Sequence, residues 1–429
     1  MPSQRATVRH LRKQNRSLLL SALFFDGPLS RHELSNATGL SPATTSTITA
    51  ELLDENLLIE AGSAESDGGR PRVLLRINPE FGHVIGVDVG ETGIKVELFD
   101  LAMTTRAAVD RAIAPTDPAA VSALIAACVH EVVEVSGSTL GSVLGIGIGV
   151  PGTVEQGDSA VVHAQTVGWE GVELENMIRQ AGITTPLFID NGAKTQGQAE
   201  MWFGTGRGAR HVVIALIGSG VGAAVVTDGA VYRGVTSSAG EWGHTTIVYG
   251  GRTCRCGSRG CLEAYVGAEG ILDRYREARG QEVPAGDEQS CVDDLLASDS
   301  PVAAQIVTET VEYLGAGIAN LVNLFNPELI VLSGWAGLAL GAKELDRIVA
   351  ATAAHALRHP YGQTRVELGR LGADAVAVGA ATLPVAALLD AGTGPRSEPA
   401  MASTAALTAR RVVQTTTGQR SPWRSAGVG

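Results

Sequence analysis

The sequence predicts an α/β protein in which a winged helix-turn-helix precedes a two-lobed α/β body. Three observations carry this reading. The first 80 residues hold three helix signals followed by a strand-turn-strand segment. From residue 82 the pattern changes to Gly-punctuated strands, with strand-turn-strand units beginning at Val84 and again at Val212. A length of 429 residues with 45% hydrophobic and 18% charged residues describes a globular chain with a large core, which excludes wholesale disorder.

Residues 14–25 read as the first helix, because Leu18, Leu19, Leu20 and Leu23 form an apolar face and Gly27-Pro28 stops it. The second is short: Ser30 with Glu33 is a capping-box pattern, Leu34 and Ala37 supply the buried side, and Gly39 ends it. Ser41-Pro42 opens the third, where Ile48, Leu52 and Leu53 make the apolar stripe and Thr44, Thr45, Ser46, Thr47 and Thr49 are left mostly outward. Helix, Gly turn, helix with a small-polar outer face suits a major groove. Leu57–Ala61 and Val73–Ile77 read as the strands of a wing. Its tip, Gly68-Gly69-Arg70-Pro71-Arg72, puts two guanidiniums on a turn that fits a narrow minor groove. The expected DNA contacts are therefore Thr44, Thr45, Ser46 and Thr47 at base edges, with Arg70 and Arg72 in the minor groove. A three-helix protein-interaction domain with a β-hairpin is the alternative.

Charge favours DNA. The net charge is −12, yet residues 1–80 hold nine basic and nine acidic side chains, so the whole excess belongs to residues 81–429. Five basic side chains and no acid fall in the first 16 residues, and Arg70, Arg72 and Arg76 form a second cluster.

In the body, Val84–Val89 and Ile94–Phe99 read as strands around Gly90-Glu91-Thr92-Gly93, and Val212–Ile217 and Gly222–Thr227 as strands around Gly218-Ser219-Gly220. Such turns aim backbone N–H groups at phosphate or sugar oxygens. Ala303–Phe325 is a helix ended by Asn326-Pro327, and Leu329–Leu332 a buried strand. The expected organisation is a DNA-binding domain over 1–80, a body over 81–390 and a disordered tail over 391–429. The longest nearly apolar run, Val212–Val226, is too short for a membrane span, and no secretory signal is evident. The expected location is cytoplasmic, with no membrane partner.

Three of five cysteines crowd into Cys254-Arg-Cys256-Gly-Ser-Arg-Gly-Cys261, with His244 ten residues before the first of them. One His and three thiolates form a closed tetrahedral zinc site, and the intervening glycines let the loop converge. Cys128 and Cys291 read as packing residues. If zinc fixes one nitrogen of His244, the other faces a ligand hydroxyl, while Glu241 and Glu263 offer acceptors. Three such groups around one knot suit a sugar.

These residues resemble a family, the ROK proteins, which comprise sugar-responsive repressors and sugar kinases. The resemblance runs from the winged helix to about residue 385. It rests on Glu241-Trp-Gly-His244, the Cys254-x-Cys256-Gly-x-x-Gly-Cys261-x-Glu263 segment, Gly147-Ile-Gly-Val-Pro151-Gly152 and Asp88-Val-Gly90-Glu-Thr92. It implies an actin-like, ribonuclease-H-type fold of two lobes, a structural zinc, and a sugar at the cleft on Gly152, Asn191, Glu241, His244 and Glu263, with Gln165 on a looser alignment.

The kinase members carry an Asn-Asp pair where this chain has Asn191-Gly192, so the general base for phosphoryl transfer is missing. Asp190, one residue out of register, reads as a capping or hydrogen-bonding carboxylate. Glu91 stands where the family's first phosphate turn has a second Gly and would repel phosphates; Trp335 would crowd the nucleoside side. The second turn, Gly218-Ser219-Gly220, reads as open to phosphate. No catalytic residue is assigned. The expectation is a sugar-responsive transcriptional regulator, a repressor of carbohydrate-use genes, with operator DNA and a sugar effector as partners and a homodimer or homotetramer as the assembly. The alternatives are an active ATP-dependent sugar kinase carrying a DNA-binding domain, and a zinc-organised scaffold without a small ligand.

Overall fold

A computed structural model describes residues 8–64, 71–113, 117–157, 159–280 and 287–392. The expected tail from 393 onward, and Arg70 in the wing tip, lie outside the described residues.

The N-terminal elements are α1 (Val8–Asp26), β1 (Leu29–Ser30), α2 (Arg31–Thr38), α3 (Pro42–Asp54), β2 (Leu58–Ala64) and β3 (Arg72–Ile77). Both Ser caps form as read. Ser30 Oγ accepts from Glu33 N while Glu33 returns the bond to Ser30 N, and Ser41 Oγ accepts from Thr44 N. The three strands order β1-β3-β2, and β2 pairs antiparallel with β3 as a wing.

Lobe one is built from β4 (His83–Val89), β5 (Gly93–Asp100), β6 (Thr105–Ala112), α4 (Pro118–Val135), β7 (Val143–Val150), a small sheet of β8 (Thr153–Glu155), β9 (Val161–Ala164) and β10 (Trp169–Val172), α5 (Leu174–Gln180) and β11 (Leu187–Asn191). Then α6 (Gly192–Phe203) leads into lobe two: β12 (Val212–Ile217), β13 (Val221–Thr227), β14 (Ala230–Val231), α7 (Glu263–Val266), α8 (Ala268–Arg279), α9 (Glu288–Ala297), α10 (Pro301–Phe325), β15 (Leu329–Ser333), α11 (Trp335–His355), α12 (Arg358–Tyr361) and β16 (Arg365–Leu368). The chain returns to lobe one as α13 (Ala375–Ala391).

The two large sheets order β11-β7-β4-β5-β6 and β14-β13-β12-β15-β16. Numbered within its own lobe, the first reads fifth, fourth, first, second, third strand and the second gives the same order from its other end, each with three antiparallel strands beside two parallel additions. The repeat seen as two Gly-punctuated hairpins is therefore a duplicated sheet topology. This is the two-lobed actin-like fold expected for the body.

Helix α6 lies between the lobes, packing on β12 and β13 on one side and on β7, β11 and α13 on the other. Small residues permit this. A Cβ on Gly147 would lie 1.8 Å from Ala380 O, and one on Gly86 1.9 Å from Ala377 O, so α13 rests directly on the backbones of β7 and β4. Gly147→Ala is expected to force α13 off the sheet and to destabilise the protein by about 3 kcal/mol, within the range of overpacked cores, as read by thermal unfolding.

Helix α4 and the segment Gly372–Ala391 are long and apolar enough to cross a membrane by composition, a property the run Val212–Val226 lacks. Both pack on lobe one: α4 against β5 and β6, α13 against β4, β7 and α6. The winged helix has no core of its own. Leu19, Leu20, Leu34, Leu52 and Leu75 share one apolar cluster with Val84, Phe99, Val385 and Leu388 of the body.

Candidate functional site

Strand β11 delivers Asn191 to the cleft. It runs parallel to β7 with Asp190 opposite Gly149 and Asn191 opposite Val150, and ends where Asn191 caps α6. Asn191 Oδ1 accepts from Lys194 N at 3.1 Å and its Nδ2 donates to Gly152 O. Gly152 must be glycine: its φ is +74° and a Cβ would lie 2.2 Å from His163 O. Asp190 is buried and occupied, as its bland reading required. Its Oδ1 accepts from Asn191 N at 2.8 Å and its Oδ2 pairs with Arg233 at 2.6 Å. At Gly192 a Cβ would meet only ordinary contacts, the nearest at 3.6 Å, so space does not explain the missing carboxylate.

Lobe two supplies the facing wall. Glu241 precedes the short 3-10 turn Trp242–His244, which Trp242 anchors by burying its indole and donating to Gly317 O at 3.1 Å. Burial pushes the Glu241 carboxyl up, opposed by the charges of Lys194 and His244 and assisted by Glu263. Lys194, His244 and Glu263 are thus the charged neighbours of Glu241. Glu263 is the most tightly held, with Oε2 accepting from Val221 N at 3.0 Å and Oε1 lying 3.5 Å from Arg255.

His244, Cys254, Cys256 and Cys261 offer ligand atoms that all lie within 4.8 Å of one another. Two edges of this group, Cys256 Sγ to Cys261 Sγ and Cys254 Sγ to His244 Nδ1, measure 3.8 Å. A tetrahedral ion with bonds of about 2.3 Å requires edges of about 3.8 Å. The cluster can hold a metal, and His244 turns Nδ1 toward it, leaving Nε2 for the cleft.

Side chains crowd the Gly218-Ser219-Gly220 turn. Arg255, between two of the sulfur ligands, pairs with Glu91 of lobe one, with Glu263, and with Glu269 at 2.9 Å, and donates to Ser219 O at 3.3 Å. Two expectations change. Glu91 is neutralised, so it obstructs as half of a salt bridge rather than repelling as a bare charge. The Gly218-Ser219-Gly220 turn is not open, because Gly220 faces Glu263, Arg255 and Glu91. The Trp335 indole lies beside the same turn: its Nε1 would lie 3.1 Å from a Cβ on Gly218.

On the winged helix, Ser46 and Thr47 are exposed, Thr44 is half-buried and Arg72 is exposed. Thr45 is a correction. It is fully buried, as is Thr49, also expected outward, because at 100° per residue both fall on the face of Ile48 and Leu52, and Thr45 cannot reach a base. The basic arm also changes meaning. Arg16 is 4% exposed and joins Glu51 and Glu55 of α3 to Gly392 O after α13, and Arg12 pairs with Glu51 at 2.6 Å. Neither is a free cation for phosphate. Lys194, Arg233 and Arg255 went unassigned from sequence. A lysine in the first turn of a helix and an arginine between two sulfur ligands were the available signals.

Comparison with known proteins places these features. The ROK family profile matches residues 84–386. A xylose repressor from Caldicellulosiruptor bescii is 29% identical over 394 residues, spanning 88% of this chain and 97% of its own. Among solved structures, a ROK family transcriptional regulator homologous to the Escherichia coli MLC protein superposes with a TM-score of 0.74 at 26% identity, covering 89% of this chain and 98% of its own. A ROK family glucokinase from Streptomyces griseus, solved with glucose and AMPPNP, gives a TM-score of 0.61 at 26% identity but covers 70% of this chain against 99% of its own.

Proposed function

Because the chain belongs to the ROK family, we propose that it is a sugar-responsive transcriptional repressor of the cytoplasm, whose kinase-like body senses a sugar and does not phosphorylate it. The observation that carries this reading is α6. Its N-terminus is the Asn191 cap in the cleft, and at its C-terminus Trp202 and Phe203 pack edge-on or tilted against Phe24 and Phe25 of α1, with Trp202 and Phe25 ring centroids 5.0 Å apart. One helix thus spans from the cleft to the winged helix.

A sugar bridging Asn191 and Gly152 of lobe one to Glu241, His244 and Glu263 of lobe two favours one lobe arrangement over another. Any shift of α6 reaches α1 through the aromatic contacts. In a homodimer or homotetramer, that changes the spacing of the paired winged helices on a two-fold operator. Linkage requires reciprocity: a sugar that lowers operator affinity binds the operator-bound protein less tightly by the same factor.

Phosphoryl transfer lacks its parts. No carboxylate stands at Gly192 to take the hydroxyl proton, Asp190 is held by Arg233, and the Arg255–Glu91 pair fills the phosphate side. His244, Cys254, Cys256 and Cys261 would hold a zinc ion as a closed set of four protein ligands, and the ion would supply a structural cross-link for the loop.

The test is operator release measured with a panel of neutral sugars, beside a coupled ATP assay with the same sugars. Release without ATP turnover supports the sensor, whereas turnover at kinase rates would overturn it. A second expectation concerns the wing. Arg70→Ala with Arg72→Ala should weaken operator binding about tenfold or more and reduce the slope of log affinity against log salt by about 2. An unchanged slope in a salt titration would remove the wing from the interface.

A further inference from the structure

Lys194 is placed against ordinary energetics. It is 2% exposed, it occupies the first turn of α6 where the helix dipole disfavours a cation, and among the described residues its ammonium makes no hydrogen bond or ion pair. Its Nζ, unlike the stem, is not fully sealed from solvent. Glu241 lies beside the start of α6: a Cβ on Gly222 of β13 would lie 3.1 Å from Ala193 Cβ and one on Gly240 2.1 Å from Ala223 O, and among the described residues the Glu241 carboxylate forms no hydrogen bond or ion pair. The other charges here are matched: Asp190 with Arg233, and Glu263 with Arg255.

We propose that Lys194 and Glu241 are two halves of one specificity element, selecting a neutral sugar whose hydroxyl accepts from Lys194 and donates to Glu241. This rests on the sensor reading and adds the class of effector and a residue that selects it. A hydroxyl is both donor and acceptor, so it satisfies both partners across a gap too wide for them to pair directly. A phosphate or carboxylate at the same place gains Lys194 but meets Glu241 as a like charge, and the neighbouring Arg233 is already paired with Asp190. A lysine that costs stability and carries no structural bond is placed for a ligand.

The experiment uses the full-length, metal-loaded protein. Calorimetry and thermal shift are measured with D-xylose, D-glucose and N-acetyl-D-glucosamine, and with D-glucuronate and D-glucose 6-phosphate. Wild type is expected to bind at least one neutral sugar more tightly than either anion. Lys194→Met should raise the Kd for that sugar at least tenfold while leaving the sugar-free melting temperature unchanged or higher, because an apolar side chain of similar volume removes a buried unpaired charge. Lys194→Gln, which keeps a donor, should lose less affinity than Lys194→Met, and it decides the matter if Lys194→Met does not fold. A wild type that binds sugar with both variants within twofold of it would overturn the role of Lys194 and leave the sensor reading standing. An anion bound more tightly than every neutral sugar would overturn the selection. A wild type that binds no sugar in the panel, and is released from operator by none, would overturn the sensor reading and this inference together.

Discussion

Glu241→Ala is expected to hold the protein on its operator at sugar concentrations that release wild type, raising the half-release concentration by about 10- to 100-fold. The magnitude follows from losing hydrogen bonds to a charged acceptor, worth roughly 1.5–3 kcal/mol, at about 1.4 kcal/mol per tenfold. The site makes the effect large because Glu241 has Lys194, His244 and Glu263 as charged neighbours yet its carboxylate makes no hydrogen bond among the described residues. Its truncation removes contacts to the ligand while the zinc ligands and the winged helix keep theirs. Fluorescence anisotropy of labelled operator against sugar concentration reads the shift, and superimposed curves for the two proteins would place the effector elsewhere.

Cys261→Ser is expected to cost more. Between His244 and Cys261 the chain forms no helix or strand; it is held by two isolated bridges, Thr246 with Cys261 and Thr253 with Arg259, by backbone bonds such as Gly260 N to Arg252 O and Cys254 N to Ser258 O, and by the ion pairs of Arg252 and Arg255. Losing one of four ligands from a closed site removes a large part of a binding free energy that reaches about 10–16 kcal/mol in small zinc domains. Zinc content should fall well below one equivalent, and the melting temperature should drop by about 10 °C or more. Sugar response should disappear with it, because His244, Glu263 and the Arg255–Glu91 contact are all positioned by this loop. Metal analysis and thermal unfolding of the same preparation check both. A full zinc equivalent in the variant would mean that Cys261 is not a ligand.

The elements that were legible in advance are those with local chemistry. Ser30 and Ser41 announce their helices because capping is a contact between near neighbours, and the cysteine loop is visible because ligand spacing lies within one segment. Thr45 was misplaced where residue type was weighed above helical period; its neighbours Ile48 and Leu52 already marked the buried face. Glu91 and Arg255 are 164 positions apart, and no local pattern links them. The same holds for Arg16, whose basic character suggested a DNA arm until α3 and the end of α13 were found around it. Long-range pairing of charges is what composition and periodicity do not record.

The shared apolar cluster beneath the winged helix bears on how operators are read. A DNA-binding head on a flexible tether tolerates changes in half-site separation, since the tether absorbs both distance and rotation. Here Leu19, Leu20 and Leu52 are packed with Val385 and Leu388, and the aromatic contacts from α6 add a second fixed point. Such a head is geared to its body. Inserting one base pair between half-sites turns one of them by about 34° relative to the other, and in a symmetric pair that rotation must be absorbed by bending DNA or straining the junction. Stringency for operator spacing and responsiveness to sugar are then the same mechanical property, and a substitution that loosens the junction relaxes both together.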